Sequence, residues 1–369
     1  MKRVLLVLMV LIPLAVTAQE KNPGPMKDQP GAPASALGPS DDDPQEPNAK
    51  PRASTEPPVK PKLKIPGSMV GYIDNPIPES QIRIRFDGAF NDNFPDRAEF
   101  FYGKCGCYRA AGLDLKSPGP PPGSTVSDIP NNLNFQQLFV NVEFAPIRRF
   151  SIFTEVPIRW IEAEGPATPV GTGPGAGHFP NQGGLSDVTA GFKLAAFASE
   201  STYLTFQFTG YFSSGDALKG LGTNHYSVEP AVLLYHRISD RLRLEGEVGD
   251  WHPIGGSAGV PTTSSQGFAG DVFFYGIGPS YRLYSGRRVA FTPVLEVVGW
   301  HVLSGLQTQL GGPIDGVTAD ASGKDIVNVK IGARTSIGFH NSIYIGYGHA
   351  VTNADWYKQI VRIEYRYSF

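Results

Sequence analysis

The sequence predicts an all-β protein: a transmembrane antiparallel up-and-down β-barrel of about 12 strands, preceded by a disordered Pro-rich segment. Three observations predict this fold. Many runs alternate strictly between apolar and polar residues, which is the period of a β-strand. The connections between these runs alternate between short and long. Beyond residue 18, no apolar run approaches the roughly 20 residues of a helical span, so a membrane-spanning form has to be a closed barrel.

The composition supports a strand-rich chain and gives no sign of nucleic acid as a partner. The 369 residues include 43 glycines and 33 prolines, with 11% aromatic and 18% charged residues. Turn formers and residues suited to pleated surfaces therefore dominate. The formal net charge is −2, and no basic run is present that would attract a polyanion.

The amino-terminal region, residues 1–18, has the three parts of a cleaved secretory signal. Lys2 and Arg3 are basic, Val4 to Val16 are mainly apolar, and Ala18 ends a small-residue cleavage site. The apolar run is too short for a bilayer span. The mature protein is therefore predicted to be exported.

Residues 19–66 form a leader rich in Pro, Lys, Asp, Ala and Ser, with almost nothing apolar to bury. This composition predicts disorder with extended polyproline stretches, placed in the periplasm. A plain spacer is favoured over a docking peptide for another envelope protein. The next stretch, residues 67–79, is more apolar and is a candidate plug or lead-in to the barrel of residues 80–369.

Alternation predicts the strands of this barrel. In one run, Val140 and Val142 alternate with Asn141 and Glu143, so one face meets lipid and the other a polar interior. Twelve strand-like runs are predicted at about 80–90, 133–145, 149–162, 185–197, 202–213, 226–237, 241–251, 269–284, 288–303, 326–338, 342–349 and 356–369.

The connections alternate in length along the predicted barrel. Those at 145–148, 198–200, 239–240, 284–287 and 339–341 are short. Those at about 91–132, 163–184, 214–225, 252–268, 304–325 and 350–355 are long and mostly rich in Gly, Pro and Ser. Outer-membrane barrels divide periplasmic turns from extracellular loops in this way. The count closes at twelve with residues 97–103 in the first long loop; if these residues form a barrel strand, the count becomes fourteen.

The last strand has the clearest alternation. Its apolar positions are Val361, Ile363, Tyr365, Tyr367 and Phe369. It resembles the carboxy-terminal insertion signal of bacterial outer-membrane β-barrels, which implies outer-membrane lipid and the barrel-insertion machinery as partners in a Gram-negative-type cell. The alternative is an edge strand of a soluble β-sandwich.

Parity also assigns charged residues to the polar interior, the predicted lumen. These residues are Glu143, Glu155, Arg159, Lys193, Glu229, Arg243, Glu245, Glu247, Glu296, Lys330, Arg334, Arg362, Glu364 and Arg366. Opposite charges across a narrow bore can select among solutes. They can equally pair into salt-bridge ladders that only satisfy the interior.

The segment from Gly184 to Asp250 carries a family resemblance. A Gly-Leu-x-Asp opening leads a strand to a Lys, a Ser-Gly-Asp ends the next strand, and a Pro-containing strand precedes a hairpin that closes on Gly-Asp. The matching positions are Gly184, Asp187, Lys193, Gly215, Asp216, Pro230 and Asp250. The segment resembles the putative outer-membrane transporters of the phenol-degradation (MetA) pathway. The resemblance implies a channel for aromatic or other small apolar compounds. The Pro-rich leader and the long first loop depart from that family.

No pattern indicates catalysis. A barrel-borne lipid-modifying enzyme needs a Ser nucleophile, a His and a third polar group, and most of the seven histidines lie in predicted loops or turns. There is no Gly-x-Ser-x-Gly elbow. The pair Gly276-x-Gly278 is a strand feature, because no helix follows it.

The two cysteines, Cys105 and Cys107, are separated by one glycine. They can form a disulfide in an oxidising compartment, hold a soft metal ion or pair with a partner; the disulfide is favoured, and no metal or cofactor is expected. The predicted function is passive or gated passage of a small-molecule solute. The alternatives are a lipid-modifying barrel and a closed structural or surface-interaction barrel.

Overall fold

The computed structural model describes residues 67–92, 132–164, 181–216, 221–223, 225–254, 269–308, 318–353 and 356–369. The strands in this part of the chain are β1 (Gln81–Asp92), β2 (Asn132–Ile147), β3 (Phe150–Glu164), β4 (Gln182–Leu185), β5 (Val188–Ala198), β6 (Thr202–Phe212), β7 (Tyr226–Arg237), β8 (Leu242–Ile254), β9 (Val272–Tyr281), β10 (Tyr284–Ser285), β11 (Val289–Val302), β12 (Leu306–Thr308), β13 (Thr318–Asp320), β14 (Asp325–Ile337), β15 (Asn341–Ala350) and β16 (Gln359–Ser368).

Twelve of these strands close into an antiparallel barrel. The ring runs β1-β2-β3-β5-β6-β7-β8-β9-β11-β14-β15-β16 and returns to β1. At the seam, β16 pairs with β1 in a register that sets Gln81 opposite Ser368 and Asp87 opposite Arg362. The predicted fold class is therefore confirmed. Among the described residues, no helix is long and apolar enough to cross a bilayer.

Alternation decides which side chains face outward. On β14, Val329 and Ile331 are exposed, whereas Asn328, Lys330 and Arg334 are buried. The same parity holds around the ring and places a belt of apolar residues on the outside. An apolar exterior around a charged interior is typical of a barrel that spans a membrane.

The barrel has two distinct ends. The short connections lie together at one end with Ser80 and Phe369, whose backbone N–H donates to the Ser80 carbonyl at 3.0 Å. We call this the short-turn end and the opposite one the loop end. Both described neighbours of the seam, β1 and β16, therefore begin and finish at the short-turn end, as the even strand count requires.

Four short strands were missed by the sequence prediction. β4 continues the wall beside β3, and β10 pairs with β11. β12 and β13 form a separate two-stranded sheet within the connection predicted as a plain loop at 304–325. The predicted strand at 269–284 was too long, since β9 spans Val272–Tyr281. The signal, the leader, residues 97–103 and both cysteines lie outside the described residues.

Candidate functional site

The structure places the predicted lumen residues on the inner wall. Most are buried, and Glu155 and Glu247 are half-buried. They come from nine different strands of the ring. The prediction missed Arg83, Arg85 and Asp87 on β1, which lie on the same inner face, although the alternation of β1 would have identified them.

Ion pairs join neighbouring strands along this wall. Lys193 and Glu143 lie 3.0 Å apart, and Glu155 receives Arg83 and Arg85, each at 3.1 Å. Across the seam, Arg362 donates to both oxygens of Asp87 at 2.7 Å. Part of the charge is therefore satisfied within the wall, as the salt-bridge interpretation predicts.

The rest of the charge binds a peptide segment inside the barrel. This inner segment, residues 67–80, precedes β1 and lies against β6, β8, β11, β14 and β16. Its backbone N–H groups donate to wall carboxylates: Met69 to Glu245 at 2.9 Å, and Asp74 to Glu247 at 2.9 Å. Charged acceptors make such hydrogen bonds stronger than neutral ones.

Glu296 is the main acceptor for the inner segment. It receives the N–H groups of Gly71, Tyr72 and Ile73 at 2.8–3.3 Å, and the Tyr344 hydroxyl at 2.8 Å. Three successive N–H groups on one carboxylate hold the chain in a tight bend. This buried charge is compensated largely by hydrogen-bond donors of the inner segment.

Arginines bind the carbonyl groups of the same segment. Arg334 donates to the Met69 and Val70 carbonyls at 3.1 and 2.8 Å. Arg362 donates to the Gly71 carbonyl at 2.5 Å, and Arg366 to the Ser68 carbonyl at 3.0 Å. Arg334 and Arg366 also share Glu364, at 2.9 and 3.0 Å.

The side chains of the inner segment fit complementary places on the wall. The Tyr72 ring lies between Lys330 Nζ, 3.8 Å from its centroid, and the Arg362 guanidinium carbon at 4.1 Å. Such cation–π contacts strengthen when they are shielded from water. Gly71 contacts the Tyr344 ring so closely that a Cβ there would overlap it.

Glycines in the wall make room for the segment. A Cβ on Gly276 would lie 2.9 Å from Ile73, and a Cβ on Gly278 would lie 2.7 Å from Val70. Real Cβ atoms do not approach carbon this closely. The strand feature Gly276-x-Gly278 therefore has a packing role, which alternation alone did not reveal.

The segment returns to the short-turn end after Asp74. Asn75 bonds the Ile77 N–H and Glu79, and the Thr205 hydroxyl donates to the Pro76 carbonyl at 2.5 Å. Gly67 has a positive φ of 85°, and a Cβ there would lie 2.7 Å from a Glu79 oxygen. The two ends of the inner segment are therefore close together.

A cavity of about 250 Å³ remains beside the inner segment. It is lined mainly by β1, β2, β3, β5 and β6, with Tyr72 and Asp74 of the inner segment on the other side. Polar members include Arg83, Arg85 and Glu155. The aromatic members are Tyr72, Phe135, Phe139, Phe153, Tyr211, Phe274, Trp300 and Tyr357.

The loop end of the lumen is apolar. Buried side chains there form one cluster that also contacts Tyr72, Tyr211 and Trp300; its members are Ala89, Leu133, Phe135, Ile161, Leu221, Trp251, Ala269, Val272, Ile326, Trp356, Tyr357 and Ile360. Because some of these residues also line the cavity, the cavity borders charged groups and aromatic rings at once.

Residues that carry the family resemblance meet in space. Asp187 accepts hydrogen bonds from the Gly215 N–H at 2.9 Å and from the Thr223 N–H and hydroxyl at 2.8 Å. The two motifs therefore join the start of β5 to the connection that follows β6. Lys193, in contrast, faces the lumen and pairs with Glu143.

One serine and one histidine meet, but without the geometry of a hydrolase. Ser227 Oγ lies 3.3 Å from His225 Nδ1, and both residues are buried on the inner face. Within the described part of the chain, His225 Nε2 has no hydrogen-bond partner. A carboxylate that orients the histidine is therefore missing from this pair.

Another group of side chains lies on the outer face at the loop end. The ligand atoms of Asp250, His252 and Asp271 lie within 4.8 Å of one another. His252 Nδ1 is already 2.5 Å from Asp271 Oδ1, so a hydrogen-bonded ion pair accounts for most of the arrangement. Sequence reasoning did not identify this group, because its members are separated by a long connection.

The fold and the inner wall define a class: a transmembrane β-barrel with a charged lumen partly filled by its own amino-terminal segment. A scan against protein-family models finds no match, and a search of curated proteins finds no similar sequence.

Solved structures with a similar fold are outer-membrane barrels. An outer membrane channel from Pseudomonas putida F1 has 11% identity and a TM-score of 0.49, covering 79% of this chain and 96% of that one. The NanC porin has 10% identity and a TM-score of 0.38, covering 79% and 98%. The translocator domain of the autotransporter NalP from Neisseria meningitidis has 9% identity and a TM-score of 0.39, covering 79% and 88%. Similarities at these levels say nothing about what the present chain transports.

Proposed function

We propose that the protein is an outer-membrane channel for passive passage of small molecules, and that the inner segment is a plug that narrows it. One observation carries the proposal: the lumen is not packed to completion by its own wall. A separate peptide fills one part, and a cavity of about 250 Å³ remains beside it. This volume is slightly below the roughly 300–1,000 Å³ of typical small-molecule pockets, so only a small solute fits while the plug is in place.

The plug is held by contacts that can be exchanged for water. Its backbone is bound mainly by hydrogen bonds to carboxylates and guanidinium groups. Net contributions of such bonds are modest, about 1.5–3 kcal/mol each, because water replaces them. The plug can therefore leave without any change in the strands, which makes the passage gated.

We further propose aromatic or apolar compounds as the solutes. The support is the cavity border, where Phe135, Trp300 and Tyr357 belong to both the cavity and the apolar cluster at the loop end. Aromatic rings stack favourably on such surfaces. The resemblance of the segment from Gly184 to Asp250 implies the same class of solute.

The location follows from the same proposal. The exposed apolar belt contacts outer-membrane lipid, the strand β16 is recognised by the barrel-insertion machinery, and the leader lies in the periplasm. A channel of this kind needs neither a metal ion nor a cofactor.

Single-channel conductance in planar bilayers tests the plug. The variant Gly71→Val places side-chain atoms against Tyr344 and should expel the segment, so we expect larger and more frequent conductance steps than in the wild type. Tyr72→Ala, which removes the ring between Lys330 and Arg362, should act in the same direction. Tyr284→Ala, at an outward position that is 59% exposed, is the matched control and should leave conductance unchanged.

Solute flux into vesicles tests the choice of solute. Open variants should admit small phenolic compounds faster than neutral sugars of similar size. Equal rates would remove the preference for aromatic solutes. If the folded, inserted protein and its Gly71→Val variant are both silent in conductance and flux, the closed structural barrel is the better account.

A further inference from the structure

The lumen wall binds mostly atoms that every peptide has. The N–H groups of Met69 and of residues 71–74 donate to Glu245, Glu296 and Glu247. The carbonyl groups of residues 68–71 accept from Arg366, Arg334 and Arg362. This pattern of alternating carboxylates and guanidinium groups matches the alternating donors and acceptors of a peptide backbone.

Only four consecutive positions are distinguished by their side chains. Val70 and Ile73 lie against the two wall glycines, Gly278 and Gly276. Gly71 faces the Tyr344 ring, where a larger residue would overlap it. Tyr72 lies between two cations. The recognised pattern is therefore apolar, glycine, aromatic, apolar.

We propose that this wall is a peptide-binding site, and that a free peptide with the pattern apolar-Gly-aromatic-apolar binds it in place of the inner segment. The inference rests on the proposed function, in which the inner segment is the removable plug. Both ends of that segment lie at the short-turn end, where Gly67 contacts Glu79 and Ser80 contacts Phe369. A free peptide would therefore enter from the short-turn end.

The tether explains why the resident segment normally occupies the site. A segment linked directly to β1 competes as if present at a concentration in the millimolar range. A free peptide at micromolar concentration cannot displace it from the wild type. Binding in trans becomes measurable only when the resident segment is weakened and the wall is left intact.

The test uses the full chain with Gly71→Val and Tyr72→Ala together as host, because both changes lie in the segment and none in the wall. A fluorescent peptide with the wild-type sequence of residues 67–80 is titrated into the host in detergent, and its anisotropy is recorded. We expect saturable binding at least tenfold tighter to the host than to the wild type. A host that also carries Glu296→Gln should bind this peptide about tenfold more weakly, a loss of about 1.4 kcal/mol.

Two control peptides separate the two parts of the recognition. A peptide N-methylated at positions 71, 72 and 73 keeps every side chain but loses the three donors to Glu296; it should bind at least tenfold more weakly. A peptide carrying Gly71→Val should also bind weakly because of Tyr344. Equal binding of the N-methylated and unmodified peptides would overturn recognition through the backbone.

Binding and conductance are scored separately, so the two proposals can fail separately. Absence of peptide binding to a host that migrates as a folded barrel, whatever its conductance, overturns the peptide site. Peptide binding to a host that never conducts supports the peptide site and overturns the channel. Block of an open host by the peptide supports both, with block expected only from the short-turn side.

Discussion

At the scale of single residues, Glu296 has the largest set of contacts to the plug. It is completely buried, yet its charge is met by three backbone N–H groups and one hydroxyl rather than by a cation at salt-bridge distance. A buried carboxylate is costly without such donors. The bound position of the plug and the charge of Glu296 are therefore mutually dependent.

The first prediction concerns Glu296→Gln, which keeps the shape and removes the charge. Hydrogen bonds to a neutral amide are weaker than those to a carboxylate, so the bound plug should lose about 1–2 kcal/mol. The open fraction in single-channel records should rise by roughly 5- to 30-fold. The control is Glu229→Gln, another buried lumen carboxylate, which is bonded to Tyr211 and not to the plug; an equal rise there would show that lumen charge alone controls opening.

Alternation in the sequence assigned Glu296 to the lumen but could not show what it binds. Parity fixes the face of a strand on which a side chain lies, and nothing more. The partner is a backbone more than 220 positions away in sequence, and backbone groups leave no residue-type signal. For the same reason, the packing role of Gly276 and Gly278 became visible only in three dimensions.

At the scale of elements, β16 both closes the barrel and ends the chain. Its inner residues hold the plug through Arg362 and Arg366. Its outer residues include Tyr367 and the following Phe369, whose rings stack at 6.3 Å and are exposed. Exposed rings at a strand end contribute little to packing, which leaves them available to another protein during assembly.

The second prediction is that Phe369→Ala impairs insertion more than stability. Fewer folded barrels should reach the outer membrane, while protein refolded in vitro should unfold at nearly the wild-type denaturant concentration. The heat-dependent gel shift of membrane fractions measures the first quantity, and urea titration the second. Phe339→Ala is the control, because Phe339 lies in a turn at the same end and is similarly exposed, at 60% against 61%. Equal losses of inserted protein would remove the special role of the terminal residue.

Most long strands could be predicted because one face meets lipid and the other a polar lumen, which forces a strict period of two. The ends of β9 and the short strands β4, β10, β12 and β13 could not, since pairs of two to four residues carry too little pattern. β12 and β13 pair only with each other, so neither lies between lipid and lumen.

At the scale of the whole molecule, one residue couples closure of the ring to retention of the plug. Arg362 binds Asp87 across the seam and also contacts Gly71 and Tyr72 of the plug. The third prediction separates these roles. Asp87→Asn should lower the free energy of unfolding by about 3–5 kcal/mol, because it leaves a buried cation without its partner.

Arg362→Gln completes the comparison. The double variant Asp87→Asn with Arg362→Gln should be more stable than Asp87→Asn alone, since neither partner remains charged. Its conductance should nevertheless match that of Arg362→Gln, because the contacts with Gly71 and Tyr72 stay lost. Stability is measured by urea unfolding, and opening by single-channel records. A double variant that regains a closed channel would contradict a direct hold of Arg362 on the plug.

The last prediction tests the orientation of the entire wall. Ile331 lies at the centre of β14, points outward and is 58% exposed, whereas Ile147 ends β2 at the short-turn end and is 62% exposed. The two side chains are almost equally exposed, so a barrel in water would tolerate arginine equally at both. In lipid, arginine should cost about 2–4 kcal/mol at the midplane and about 0–1 kcal/mol near the interface. We therefore expect Ile331→Arg to lower the free energy of unfolding in vesicles by several times more than Ile147→Arg. Equal losses would mean that the centre of this wall does not face hydrocarbon, and the outward apolar belt would then need a protein partner to cover it.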